Sequence, residues 1–564
     1  MTGKYSTDLL TQLPKLPLPE LDDTLTRLQN RGIPLLGASQ QKKLAAQITS
    51  FKENDAPELQ ALLKQRWAET NANWLSPLLR HHALINREPL QNGSNFAFTV
   101  SHDRLPSLDQ VTMAAKLLQN FADQYLAYVS EKIPVDTNSD NQPQDMDQYG
   151  NFFRTQRQAN ISRDYSQRTR PTLTNVAATI IYHNTAYQVR LIDHAGRVST
   201  LHSLAESLTQ IMQETVTDTF FVGAYSGLPR NTAAKLRSHL ASNQHNWDNL
   251  TRISNSLLVL TLEDAEVPLT AQATLLGPQN RFFDKTTQVI VSSEPSLGFV
   301  FEHSQIDELP ALKLADSVVS RLNQPEDQWD SKGKPHFERL TWELDHYTKE
   351  ALSEADRNNG AVAKHLTFAS TTNSTFGANR LQKIGIDPDA FLQIGFALAE
   401  FQATGGWQNI SELVPMRGFY QGRTETLSTI DLEKKQFIEA FATGQRDAAL
   451  KQAFNQAITA HTKRVQFVSK GLGIKGHLLG LQEMMLRNGG EKAFPDAANL
   501  FSSDFFNEIF TDFFTTINVP SNLTESFVSA PSHPTGYGIY YSILDSQLKL
   551  TVSAWQANSF TAQE

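Results

Sequence analysis

Leu297-Gly-Phe-Val-Phe-Glu-His-Ser-Gln-Ile-Asp307 is the stretch that sets the reading of the chain. Leu297, Phe299 and Phe301 alternate as the buried face of a β-strand does, so His303 should emerge where that strand ends. A histidine held at a strand end can serve as a general base, because its unperturbed pKa lies near neutrality. Asp307 follows four residues on, an acid for the ring to meet. Spacing alone is thin support, since the chain holds 15 histidines and a histidine beside apolar residues is commonly structural.

The same periodicities extend outward in both directions. Leu257–Leu262 and Thr287–Val291 read as strands, and Val176–Tyr182 with Ala186–Ile192 as a hairpin around His183-Asn184-Thr185. Apolar residues at three- and four-residue spacing predict helices over Leu44–Ser50, Pro57–Trp74, Val111–Val129, Leu201–Thr215 and Asn231–Ser242. Asp55 ahead of Pro57, and Asp109, are expected helix starts. Interleaved helices and strands make the unit mixed α/β. Pro134–Gly150, rich in Asp, Asn and Gln, reads as an exposed loop, and Gln324–Phe337, polar with two prolines, as a boundary. Beyond it, Asp387-Pro388 opens a helix through Phe391, Ile394, Leu398 and Phe401 that stops at Gly405-Gly406. Gly538–Leu544 and Leu548–Ala554 form a late hairpin.

With 564 residues the chain is too long for one hydrophobic core, so two or more globular units are expected. It is 40% hydrophobic and 19% charged, the balance of a folded protein. A net charge of −9 without a basic run argues against nucleic acid or an anionic membrane as partner. The absence of cysteine excludes disulfides, thiolate zinc sites and thiol nucleophiles; no metal is called for. Met1–Asp8 lacks a signal-peptide apolar core, and no segment approaches the roughly 20 apolar residues of a membrane span. The expectation is a soluble, cytoplasmic monomer acting on small molecules.

A series of short pieces, in order along the chain, is similar to the choline/carnitine acyltransferases. They are Leu13-Pro-Lys-Leu-Pro-Leu-Pro-Glu-Leu21, Asn73-Trp-Leu-Ser76, Phe153-Arg-Thr-Gln-Arg157, Gly227-Leu-Pro-Arg230 and Asn280-Arg-Phe-Phe-Asp-Lys285. After the histidine segment come Pro388-Asp-Ala-Phe-Leu-Gln393, Gly422-Arg-Thr-Glu425, His477-Leu-Leu-Gly-Leu481 and Gly536-Tyr-Gly538. The resemblance implies two similar mixed-sheet α/β domains of the CoA-dependent, chloramphenicol acetyltransferase-like type, facing each other across an active-site tunnel. It divides the chain into helices at 1–70 packed on the C-terminal half, a first domain at 71–346 carrying the histidine, and a second at 347–564.

The resemblance also implies a chemistry. His303 removes a proton from an alcohol, or from a thiol in reverse, as that atom attacks an acyl carbonyl; no covalent enzyme intermediate is needed. Asp307 matches the acid that orients the ring, with Arg423 as its cation. Ser529 or Ser526 falls where the family places oxyanion donors, although either also reads as an ordinary loop serine. Coenzyme A or acyl-CoA is the implied co-substrate, with no permanently bound cofactor.

Departures from the family pattern fall at both ends of that implied tunnel. Ala378 and Gln382 replace two lysines that hold the 3′-phosphate of CoA; Arg380 and Lys383 lie beside them. Asp389 keeps the adenine-end position and also reads as a first-turn helix acid. Gly476, with Lys475 adjacent, replaces the arginine for carnitine's carboxylate, Ser411 replaces a tyrosine, and Thr424 is retained. Carnitine itself therefore fits poorly. Glu308 stands where glycine is usual, and the segment from Ser529 to Gly536 is short. Two functions follow: an acyltransferase with an altered alcohol acceptor, or a weak or inactive relative that binds ligands or acts as a scaffold. Setting the resemblance aside leaves a generic two-domain α/β protein.

Overall fold

The computed structural model describes residues 12–556 apart from 216, 265–267, 278–279, 295 and 325–333. An eight-stranded sheet carries the histidine strand Leu297–Glu302 at its third position. Its order is Thr524–Ser529, Asn95–Val100, Leu297–Glu302, Thr287–Ser292, Val259–Glu263, Val176–Tyr182, Thr185–Ile192 and Phe337–Leu340. The pairs at Val259–Glu263 are parallel and the others antiparallel, so the sheet is mixed. Leu297–Glu302 is buried at every position because both faces of the sheet are covered. Phe299 and Phe301 stack on Phe98 and Phe96 and pack with the helices Gln110–Val129 and Glu308–Val319. Gly298 and Val300 face the other side, toward Thr274 and Leu275 of the helix Ala271–Leu276.

A second, six-stranded mixed sheet has the order Leu366–Asn373, Leu548–Trp555, Tyr537–Ile543, Phe514–Asn518, Ile410–Pro415 and Thr424–Ser428. The helix Pro388–Thr404 packs on it. Its start was legible: the Asp387 carboxylate accepts from the backbone N–H of Asp389 and Ala390, and Gly405 ends it in the left-handed region at φ 69°. Asp109 caps Gln110–Val129 in the same way, accepting from the Thr112 N–H at 2.9 Å. The chain is thus α/β with two mixed sheets.

The early helices Leu21–Leu35, Ala38–Glu53 and Ala56–Glu69 share a core with the late helices Ile474–Arg487 and Pro495–Phe501. A reverse crossing joins the sheets. Thr524–Ser529, late in the chain, is an edge strand of the first sheet, antiparallel to Asn95–Val100 with Phe96 opposite Ser529. No helix of the described residues is long and apolar enough to cross a membrane.

One expectation needs correcting. Pro134–Gly150 is exposed only in its first half; Asp145, Met146, Gln148 and Tyr149 are buried. The polar side chains that suggested a loop are spent on protein partners. The Asp145 N–H donates to the Arg417 carbonyl at 2.7 Å, and its carboxylate accepts from the Gln421 N–H at 2.8 Å. Most of the Gln324–Phe337 boundary lies outside the described residues.

Candidate active site

His303 leaves the sheet at the end of Leu297–Glu302, and the turn beneath it is fixed by a buried acid. Glu302 accepts from the Ser304 N–H at 3.1 Å and the Ser304 hydroxyl at 2.6 Å, and it faces Arg157 at 3.4 Å. Arg157 and Arg230 both pair with Asp164, at 2.8 and 2.7 Å, and Arg230 also pairs with Asp284 at 2.8 Å. Three sequence landmarks, Phe153–Arg157, Gly227–Arg230 and Asn280–Lys285, therefore meet in one buried ion network under the histidine turn. Its members are almost fully excluded from water, so each charge depends on its partners.

Asp307 stands at the N-cap of Glu308–Val319 but does not cap it. Its carboxylate is turned to Arg423, whose Nε donates to Oδ1 at 2.9 Å, and to Gln148, whose Nε2 donates to Oδ2 at 2.7 Å. The Asp307 N–H returns a bond to Gln148 Oε1 at 2.7 Å. Arg423 spends its remaining donors on the carbonyls of His303, Ser304 and Ile306, at 3.0, 3.0 and 3.2 Å. One guanidinium thus staples the whole loop.

Arg423 is itself aimed by a tight turn. The Gly422 N–H donates to the Phe419 carbonyl, and a Cβ at Gly422 would collide with the Met416 carbonyl. Asn73 and Ser76 hold the preceding carbonyls of Tyr420 and Gln421 at 3.3 and 2.6 Å. The Asn73-Trp-Leu-Ser landmark therefore supports the Gly-Arg-Thr landmark.

The ring of His303 is 31% exposed, while its Nε2 is buried, 3.4 Å from Asp307 Oδ1 and 3.8 Å from Glu308 Oε1, with no hydrogen bond among the described residues. Burial pulls the histidine pKa down, but the charges of Glu308 and Asp307 outweigh it and the net shift is upward. Burial also pushes the Asp307 carboxyl up, yet Arg423 and His303 hold it well below the usual range. Burial pushes the Glu308 carboxyl up against the pull of His303. Phe96 sets its ring edge against the imidazole at 5.7 Å.

Ser529 lies opposite Phe96 in the sheet, so both side chains share the face that meets His303. Its hydroxyl accepts from Tyr540, a buried phenol on Tyr537–Ile543 that no local sequence signal singles out. Ser526 is on the opposite face of its strand and is bonded to Thr99 at 2.8 Å.

Two trios, His303–Asp307–Glu308 and Asp389–Glu412–His461, bring potential ligand atoms within 4.8 Å. Protein groups already serve both. Asp307 is taken by Arg423 and Gln148, and Lys434 Nζ lies 3.0 Å from His461 Nδ1.

Residues 16–564 match the family described as Choline/Carnitine o-acyltransferase. The chain belongs to this family of acyltransferases. The peroxisomal carnitine O-octanoyltransferase of Mus musculus is 25% identical over 97% of this chain and 92% of its own length. The carnitine O-acetyltransferase of Columba livia is 24% identical over 97% and 89%. Among solved structures, Fusarium sporotrichioides TRI101 complexed with Coenzyme A and T-2 has 9% identity and a TM-score of 0.34, covering 85% of this chain and 96% of its own. The wax ester synthase/diacylglycerol acyltransferase from Marinobacter aquaeolei VT8 has 10% identity and a TM-score of 0.28, covering 53% and 74%.

Of the residues assigned to the acceptor of a choline/carnitine acyltransferase, the structure shows Ser411 bonded to Asp512, which pairs with Lys475 at 3.0 Å. Thr424 opens the strand that follows Arg423. Gly476 sits against Glu425: its N–H donates to Glu425 Oε1 at 3.0 Å, and a Cβ there would meet that carboxylate. Glu425 is enclosed and pushed up by burial, so an acid and not a cation occupies this spot. At the CoA end, Arg380 and Lys383 are exposed on the short helix Ala378–Lys383, and Arg380 donates to the Thr375 carbonyl at 2.8 Å. Among the described residues, neither bonds to the His303 loop. Asp389 accepts from Tyr541 at 2.7 Å and Asn518 at 3.2 Å.

Proposed function

We propose that the protein transfers an acyl group between a CoA thioester and a small choline/carnitine-like alcohol, carnitine itself being disfavoured, with His303 as general base. The observation that carries this reading is the clamp on the histidine loop. Arg423 and Gln148 fix Asp307, which with Glu308 faces Nε2 of a ring that is 31% exposed. Nδ1 is then the nitrogen free to take the alcohol proton. The alkoxide attacks the thioester carbonyl, the carbon–sulfur bond breaks, and His303 returns the proton to the departing thiolate. Ser529, backed by Tyr540, is the proposed donor to the oxyanion; Ser526 is too far committed to Thr99 to share that role.

Arg380, Lys383 and Asp389 are proposed for CoA, and Thr424 for the acceptor. An acceptor carrying a carboxylate is disfavoured because Glu425, an acid, stands beside Gly476 where such a group would need a cation. The division at 1–70, 71–346 and 347–564, an interdomain tunnel, a monomeric state and a cytoplasmic location belong to the same reading. The completeness of the clamp speaks for an enzyme over a binding-only relative.

Acyl-CoA consumption against a panel of alcohols, choline and carnitine included, tests it. Turnover is expected with at least one acceptor, falling ~10²-fold or more in His303→Ala. No turnover with any alcohol, or an unaffected variant, removes the assignment.

A further inference from the structure

A cavity of about 470 Å³ lies between the helices Leu21–Leu35 and Ala448–Phe467, within the size range of small-molecule sites. None of the residues assigned above to base, oxyanion, acceptor or CoA lines it. Four cations do: Arg27, Arg31, Lys463 and Arg464. Two are already neutralised, Arg464 by Asp431 at 2.8 Å and Arg27 by Asp23 at 3.0 Å. Arg31 is not. It is 8% exposed, lies on the Phe510 ring at 5.4 Å, makes no salt bridge among the described residues, and leaves Nη1 without a hydrogen bond.

A buried guanidinium with a vacant donor is costly, and an anion in the cavity would relieve that cost. Burial, with the charges of Arg464 and Arg27, pulls the Arg31 pKa down to about 9 against the acids Glu425 and Asp512, so it remains a cation at neutral pH. The rim has the opposite character. Ile33, Leu432 and Phe467 are 38%, 42% and 50% exposed, and all three line this one cavity. Single exposed apolar side chains are ordinary, but a cluster around a charged interior describes a site for a molecule with a head and a tail. Asp431 and Glu433 also line it, which suits a singly charged head better than a dianion.

We propose that this cavity binds a carboxylate-headed amphiphile, its head on Arg31 and its tail across Ile33, Leu432 and Phe467, as a site separate from His303. It does not rest on the acyl-transfer reading. Octanoate is the probe, titrated calorimetrically into the full chain beside octan-1-ol and inorganic phosphate. Expected are saturable octanoate binding, octanol at least tenfold weaker, and a tenfold or greater loss of octanoate affinity in Arg31→Met. Lys463→Glu, at an exposed position where folding is not at stake, should weaken binding several-fold. Saturating CoA and His303→Ala should leave it unchanged. The proposal is overturned if octanoate does not bind, if octanol binds as well, if both cation variants bind like wild type, or if phosphate displaces octanoate at equal concentration. It is equally overturned if CoA or His303→Ala abolishes binding, because octanoate would then occupy the acyl-transfer passage.

Discussion

Glu308 distinguishes this site from the pattern the sequence resembles, where a glycine follows the acid. Its carboxylate is 3.8 Å from His303 Nε2, and its charge is the leading influence that raises the imidazole pKa against burial. A general base must be neutral to accept a proton, so activity should fall as pH drops through the histidine pKa. Raising that pKa moves the fall to higher pH. Glu308→Gln removes the charge while keeping the shape, so the acidic limb of kcat/KM should shift to lower pH with the upper plateau retained. A limb that stays put, measured over pH 5 to 9, would mean Glu308 does not act on the ring. Asp307 is the contrasting residue: Asp307→Asn strands Arg423 without its carboxylate, and loss of one partner of a buried pair costs about 3–5 kcal/mol. Its thermal midpoint should fall together with activity, whereas that of Glu308→Gln should not.

At the scale of elements, the strand Leu297–Glu302 and the helix Pro388–Thr404 were readable because local signals fix both. Phe299 and Phe301 alternate; Asp387 and Gly405 mark a start and a stop. Gln148, Tyr540 and Glu425 were not readable. Gln148 acts on Asp307 from 159 residues away and Glu425 on Gly476 from 51, while Tyr540 meets Ser529 from 11, and the neighbourhood of each reads only as a polar loop or an ordinary strand. His477 shows the same limit from the other side. It lies in the conspicuous His-Leu-Leu-Gly-Leu run, yet the structure uses it as a support between helices. Its Nδ1 meets Thr24 of Leu21–Leu35, and its Nε2 meets Gln60 of Ala56–Glu69, each at 2.7 Å. Burial, helped by Arg27, pulls its pKa down to about 4, below the roughly 6.5 of an unfolded histidine. The unfolded chain therefore binds the proton first, and stability is present above about pH 6.5 and lost as pH falls through 4. His477→Gln should flatten the pH dependence of the thermal midpoint across that window. An unchanged slope between pH 4 and 6.5 would show that the helix anchor does not titrate.

The whole molecule is tied together by the strand Thr524–Ser529. It belongs by sequence to the second half and by pairing to the first sheet, and it brings Ser529 opposite Phe96, whose ring meets the imidazole. A boundary drawn from composition near Gln324–Phe337 cannot reveal such an exchange, because pairing across hundreds of residues leaves no local trace in the strand's own pattern. The exchange has a mechanical consequence. Phe527 is 2% exposed and stacks on Phe96, Phe98 and Tyr540 with centroids 5.5, 5.4 and 4.7 Å apart, so aromatic rings from both sheets share one cluster. With the early helices also packed on the late ones, neither half can open without exposing core of the other. Calorimetry of the wild type should therefore show one endotherm. Phe527→Ala, costing about 3–5 kcal/mol by loss of buried ring and residual cavity, should move that whole endotherm down in temperature. If Ser529 is the oxyanion donor proposed above, turnover should fall too, since the ring packs on Tyr540, which bonds Ser529. Two resolved endotherms in the wild type, or a variant that loses stability in only one, would show that the crossing strand is an appendage and that each sheet stands by itself.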